Sequence, residues 1–277
     1  MQTEILARGL CFPEGPRWRD GRLWCSDMHA GEVITVDADG TVSSVLEVAN
    51  DPSGLGWLPN GDLLVVSMTD RRLLAWDGVA LRTHAELWDL ARFHLNDMVV
   101  DAAGRAYVGN FGFDLHAQRK PKPAEVILVE PDGGARVAAG DMLFPNGTVI
   151  TPDGSRLIVA ESWGARLTAF DLDTEGNLGN RRIWATLADG GVPDGICLDE
   201  ADGIWVASPS TNECLRFVEG GKVTHRVSTD QGAFACMLGG TTLHILTCAS
   251  SDPDVCRKKR SGRIEVVEAP YAGAGFP

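Results

Sequence analysis

Short apolar runs of four or five residues alternate with turns bearing Gly, Asn and Asp along nearly the whole chain, and no long stretch carries helical periodicity. Aligning the turns exposes a repeat. Glu14-Gly15-Pro16-Arg17-Trp18 leads through Asp20-Gly21 into Leu23-Trp24-Cys25-Ser26, and Ser53-Gly54-Leu55-Gly56-Trp57 leads through Asn60-Gly61 into Leu64-Val65-Val66-Ser67. The same sequence of features starts at Asn96, Asn146 and Asp194, and a weaker sixth copy starts near Ala235. These starts lie 39, 43, 50, 48 and 41 residues apart. Each copy holds two apolar runs joined by a tight turn, the local pattern of a β-hairpin. A third run follows in most copies (Val33–Val36, Leu73–Trp76, Val126–Val129, Leu167–Phe170, Cys214–Phe217), and a fourth, less regular one completes the unit. Four strands per repeat of about 40–45 residues predict a propeller blade. The chain is therefore expected to be all-β: a six-bladed β-propeller with four antiparallel strands per blade, in one domain spanning 1–277. Glu4-Ile5-Leu6-Ala7 is expected to supply the outer strand of the last blade, closing the ring through both termini and hiding a sheet edge.

The repeat turns sequence position into spatial position. Residues at the same place in six blades lie on a ring around one axis, and the inner strands begin at Glu14, Ser53, Asn96, Asn146, Asp194 and Ala235. Pro13, Pro52, Pro145 and Pro193 precede four of them and fix the approach of the chain. Asx and Ser favour turns at strand starts, but that preference does not account for Glu14. Two carboxylates with two amide oxygens, and no His or Cys, suit a hard cation such as Ca²⁺, with Mg²⁺ or Mn²⁺ as alternatives. Without a cation, Glu14 and Asp194 would repel at short range.

The second strand of each blade runs back to the face carrying these starts, so the loops that follow should rim the pocket. They include Asp27-Met28-His29, Asn110-Phe111-Gly112-Phe113, Glu161-Ser162-Trp163, Ser208-Pro209-Ser210 and the stretch from Cys248 to Gly262. Phe12, His94, Phe144 and Phe234, just before the strand starts, belong to the same rim. Phe111, Phe113 and Trp163 are expected to touch substrate. The basic run Arg257-Lys258-Lys259-Arg260 reads as a solvated loop tip on this face.

Charge narrows the partners. Lys and Arg total 25 against 38 Asp and Glu, a net charge of −13, which disfavours nucleic acid and anionic lipid. No apolar run approaches the roughly 18 residues of a membrane span, and no secretory signal is visible at the start, so a cytoplasmic protein is expected. The seven cysteines form no Cys-x-x-Cys pair and are expected to be small buried hydrophobes. A monomer or small homo-oligomer acting on a small molecule fits these features.

Four motifs, in order along nearly the whole chain, carry a resemblance: Phe12-Pro13-Glu14-Gly15-Pro16, Leu95-Asn96-Asp97 with Asp101-x-x-Gly104-Arg105, Phe144-Pro145-Asn146-Gly147, and Pro193-Asp194-Gly195. With these the sequence resembles the senescence marker protein/gluconolactonase/luciferin-regenerating-enzyme family and, more distantly, diisopropyl fluorophosphatase and the paraoxonases. The resemblance implies a six-bladed propeller with one divalent metal, usually Ca²⁺ or Zn²⁺, that hydrolyses lactones. It implies Glu14, Asn146 and Asp194 as metal ligands, and Asn96 as a fourth ligand or a group binding substrate or water. Asp194 also matches the family's general base, or the nucleophile of the fluorophosphatase branch. Sugar lactonases of this family tend to carry Arg two residues before the Asn of the third blade; here that residue is His94, the runner-up base and a candidate substrate contact. With Phe111 and Phe113 nearby, a lactone or ester less polar than an aldonolactone is expected.

No Gly-x-Ser-x-Gly elbow, phosphate-binding loop or His-Glu-x-x-His motif occurs, so serine hydrolases, P-loop enzymes and zincins are disfavoured. A phosphotriesterase-like hydrolase using the same cage and a non-catalytic propeller scaffold remain the alternatives.

Overall fold

A computed structural model describes residues 1–115, 117 and 119–277, and its strands form six four-stranded antiparallel sheets. Blade 1 runs outward through Pro13–Arg19, Arg22–Asp27, Glu32–Val36 and Val42–Glu47. The innermost strands of blades 2 to 6 are Pro52–Trp57, Leu95–Val100, Pro145–Ile150, Ile196–Leu198 and Gly232–Gly239. The hairpins follow their turn residues. Asp20 and Gly21 both take positive φ (53° and 75°), the conformation a tight two-residue hairpin requires. Glu4–Leu10 pairs antiparallel with Gly262–Glu268 and forms the outer edge of blade 6, so the expected closure through the N-terminal strand holds.

Around the axis the inner strands touch in ring order, and glycine makes this possible. A Cβ on Gly147 would lie 2.5 Å from the Ile196 nitrogen and 2.6 Å from the Asp194 carbonyl. One on Gly195 would lie 2.7 Å from the Ala235 Cα. Gly15 and Gly54 meet the next inner strand in the same way. Each of these glycines directly follows a ring residue, so the close approach and the inward-facing polar groups are parts of one repeat element. Blade 3 has Asp97 at this place. Its carboxylate accepts from Arg17 (2.7 Å) and from the Met98 amide (2.8 Å). The Arg17 guanidinium also donates to the carbonyls of Leu55, Pro16 and Met98, so it ties together the inner strands of three blades.

At the far ends of the inner strands the C-terminal residues cross three blades. Gly273 donates to Gly240, Ala274 donates to Leu198, and Phe276 exchanges both backbone bonds with Ile150 (2.8 and 2.9 Å). On the opposite face, the stretch after Cys248 contains helix α1 (Pro253–Lys259), which the reading as a loop did not foresee. A seven-residue helix is too short to show periodicity, but Asp252 caps it and Pro253 opens it. Its basic run is not a free tip either. Arg257 donates to the His29 carbonyl (3.1 Å), and Arg260 donates to the Gly9 carbonyl (2.8 Å). All seven cysteines are free and buried, as small apolar residues would be.

The glycine ring can be tested directly. Gly147→Ala is expected to cost about 2–3 kcal/mol of stability through overpacking against fixed backbone. Gly179→Ala, where no atom lies within 4 Å of the new Cβ, should stay within about 0.5 kcal/mol of the parent. Denaturant unfolding of both variants provides the check, and equal stability would refute the account.

Candidate functional site

At the mouth of the channel lies a cavity of about 280 Å³ lined by residues from all six blades. Glu14, Asn96, Asn146 and Asp194 form its floor. Residues at or just before the starts of four inner strands are thus brought together in space, Asp194 lying two residues ahead of Ile196–Leu198, while the other two ring positions, Ser53 and Ala235, do not line the cavity. The floor residues are all buried.

Hydrogen bonds orient the two amides. Asn146 Nδ2 donates to Asp194 Oδ1 and to Ser162 Oγ (3.3 Å), while Ser162 itself donates to the Pro193 carbonyl (2.7 Å). Asn96 Nδ2 donates to the Pro145 carbonyl (3.2 Å). Asn146 therefore spends both its N–H groups, and Asn96 one of its two, on protein acceptors, and among the described residues no donor reaches either amide oxygen. Glu14 Oε2 accepts from the Gly15 amide (3.1 Å).

The floor is electrostatically costly. Burial holds the Glu14 carboxyl well above the ordinary carboxylate range, and the charges of Asp194 and Asp97 push it further. Burial does the same to Asp194, and the hydrogen bond from Asn146 offsets only part of the rise. Two carboxyls with this burden and two uncommitted amide oxygens make an oxygen-rich, acidic donor set. Among the described residues no group of three His, Cys, Asp or Glu is placed to hold a metal ion. Any cation here would need the amide oxygens.

The walls are mostly apolar: Phe12, Met28, Met68, Phe111, Leu115, Phe144 and Phe234 line the cavity. Phe111 packs on Phe144 with ring centroids 4.4 Å apart, and His94, stacked on Phe93 at 4.1 Å, stands beside Phe111 at 6.0 Å. Trp163 is half exposed at the mouth. Phe113 differs from the expectation. It does not line the cavity but is wedged behind it, between Phe144 (5.9 Å) and Trp163 (5.8 Å). The turn at Gly112 (φ 73°), fastened by its amide to Asn110 Oδ1 (2.9 Å), sends the two phenylalanines to different places. Asp51 was missed by sequence reasoning; it occupies the place that Phe12 and Phe144 hold in their blades. Only its position before Pro52 could have flagged it.

The wall of blade 4 hangs on Glu161, whose side chain is fully buried. It accepts from the Leu143 amide (2.7 Å), from Thr168 (2.5 Å) and from Arg166 (2.9 and 3.0 Å), with Arg181 at 3.3 Å. Leu143 precedes Phe144, and Ser162 and Trp163 follow Glu161 directly. One carboxylate therefore positions three wall residues.

Residues 12–252 match the family described as SMP-30/Gluconolactonase/LRE-like region. The chain is 28% identical over 270 residues to 6-deoxy-6-sulfogluconolactonase of Pseudomonas putida, covering 95% of this chain and 89% of that one. It is 25% identical over 248 residues to regucalcin of Gallus gallus, covering 86% and 83%. Among solved structures it is similar in fold to a gluconolactonase from Xanthomonas campestris, with a TM-score of 0.77, 24% identity, and coverage of 96% and 88%.

The Glu161 clamp has a pH signature. Burial alone would raise this carboxyl, but the bonds from Arg166, Thr168 and the Leu143 amide outweigh it and hold the group below its ordinary range. A depressed carboxyl contributes stability that is present above its unfolded value and lost as pH falls through the folded one. Glu161→Gln is expected to lower stability by about 3 kcal/mol at neutral pH. The gap from the parent should narrow as the solution is acidified below the ordinary carboxylate range. Unfolding curves across pH read both effects, and a gap independent of pH would refute the clamp.

Proposed function

The chain belongs to the SMP-30/gluconolactonase/LRE-like family, and from that premise we propose that it is a divalent-metal-dependent lactonase that opens a cyclic ester of low polarity at the mouth of its channel. The observation that carries the metal dependence is the orientation of the floor amides. Asn146 turns its N–H groups to Asp194 and Ser162, and Asn96 turns one to the Pro145 carbonyl. Among the described residues no donor takes either amide oxygen, on a floor that also holds the buried carboxyls of Glu14 and Asp194. Glu14, Asn96, Asn146 and Asp194 would hold the ion. Ca²⁺ suits the all-oxygen donor set best, with Mg²⁺, Mn²⁺ or Zn²⁺ as alternatives. The regucalcin relatives support a calcium-type ion, since a solved regucalcin from Agrobacterium tumefaciens is described as a calcium-binding protein.

A bound divalent cation supplies Lewis acidity at a substrate carbonyl and favours the ionised form of neighbouring carboxyls. The protein's own groups do the rest. Asp194 accepts the proton of the attacking water, Asn96 orients water or substrate, and Asn146 keeps Asp194 in register through its N–H. As water adds to the carbonyl carbon, the ring C–O bond breaks and the departing oxygen is reprotonated, giving a hydroxy acid. The walls at Phe111, Phe144 and Trp163 hold the apolar body of the substrate and exclude bulk water. Phe113 acts by bracing Phe144 and Trp163. His94 lines the cavity in place of the arginine expected of sugar lactonases, which favours a substrate with few hydroxyls.

Two outcomes are expected. Asp194→Asn should lower kcat by about 10²–10⁴-fold while atomic absorption still finds bound metal, and retention of most activity would move the base elsewhere. In a panel running from aldonolactones to aryl and alkyl lactones, with organophosphates alongside, kcat/KM should be highest for the aryl and alkyl lactones and fall to background on chelation. A preference for organophosphates, or full activity after exhaustive chelation, would overturn the reading.

A further inference from the structure

Away from its floor the cavity wall carries polar groups at His94, Ser162 and Ser251 and a histidine–carboxylate pair on the side of blades 1 and 2. His29 lines the cavity from the turn after the second strand of blade 1, and Asp51 lines it from the loop before blade 2. The His29 side chain is 6% exposed and its ring is stacked on Phe12, with centroids 5.1 Å apart. Its Nδ1 is buried without a hydrogen-bond partner and faces the Asp51 carboxylate at 3.6 Å. Arg257 of helix α1 reaches the same carboxylate oxygen at 3.6 Å and donates to the His29 backbone carbonyl at 3.1 Å. Both residues are thus held from behind by one guanidinium. Asp51 sits at φ 51°, so its backbone adopts a left-handed conformation to bring the carboxylate here.

We propose that His29, positioned by Asp51, is the specificity-determining acceptor for a single hydroxyl on the substrate. This deepens the lactonase reading and rests on it for the identity of the reacting group. The chemistry follows from the tautomer. A carboxylate opposite Nδ1 favours the proton on that nitrogen in the neutral ring, so Nε2, the ring nitrogen left to the cavity, carries a lone pair. Such an edge accepts from a hydroxyl and offers nothing to an ether or an alkyl group. Across the cavity Phe111 and Phe144 form an apolar wall. The substrate class that satisfies both sides is an amphipathic lactone, with an aromatic or alkyl body against blades 3 and 4 and one hydroxyl toward blades 1 and 2. A polyhydroxylated sugar lactone would leave most of its donors against phenylalanine, and a bare lactone would leave the His29 edge without a partner when water is displaced.

The test uses the metal-loaded full-length protein, dihydrocoumarin, and its positional series of monohydroxy derivatives. For the parent protein, one isomer is expected to exceed the unsubstituted lactone in kcat/KM by about tenfold or more. In His29→Phe, which keeps a ring against Phe12, the ratio between that isomer and the unsubstituted lactone should fall about tenfold. Comparing this ratio between the two proteins cancels the difference in intrinsic reactivity between the two lactones. Asp51→Asn, whose side chain tolerates the left-handed backbone, should also diminish the ratio by releasing the tautomer. The corresponding cyclic amides, which resist hydrolysis, are titrated by calorimetry in parallel. If no lactone is turned over but the amides bind with the same preference, lost in His29→Phe, the lactonase reading fails and the hydroxyl site stands. An unchanged ratio in His29→Phe overturns the site. Absence of any isomer preference in the parent protein, or of any amide binding, overturns it as well.

Discussion

Backbone approaching backbone around the propeller axis is the constraint on which everything else rests. Inner strands can come within van der Waals contact of one another only where no Cβ intervenes, and Gly147 and Gly195 stand at such points, each less than 3 Å from what would be a collision. Because these glycines follow Asn146 and Asp194 in the chain, tight closure of the ring and convergence of its polar groups are inseparable. Loosening the first would disperse the second. Of the two positions without glycine, Asp97 and Cys236, the first is accommodated because Arg17 reaches across from blade 1 and fills the space with a buried ion pair. A buried pair of this kind adds little net stability, since desolvation consumes most of its attraction. Its geometry nevertheless fixes three inner strands relative to each other.

The same closure explains the electrostatic character of the floor. Glu14, Asp194 and Asp97 are buried close enough for their charges to oppose one another, and Arg17 eases the burden on Glu14. Carboxyls in such surroundings hold their protons tightly. The cavity above them is built from aromatic and methionine side chains, which deepen the desolvation. Strained acids below and apolar surface above are therefore two aspects of one arrangement.

Much of this was legible in the chain because repetition converts position into geometry. The six blades, the strand that closes them and the four floor residues follow from aligning Asx-Gly turns, without any knowledge of contacts. What escaped depends on partners remote in sequence. Arg17 meets Asp97 across 80 residues. The role of Asp51 emerges only when the turn of blade 1 and helix α1 converge on it. The helix itself is too brief to leave a periodic trace, and although the basic run at its end is solvent-exposed as expected, the anchoring of Arg257 and Arg260 to the carbonyls of His29 and Gly9 carries no sequence signature. Phe113 was placed with Phe111 because both stand in one aromatic loop. The bend at Gly112 separated them into a wall and its brace.

The strap formed by Gly273 to Phe276 bears on traffic through the molecule. It runs across the ends of three inner strands opposite the cavity, and the Arg17 guanidinium spans the interior between. Between the strap and the cavity this buried guanidinium is hydrogen-bonded to the inner strands of three blades. In the proposed lactonase, exchange past the half-exposed Trp163 would make departure of one molecule and arrival of the next sequential events competing for one opening.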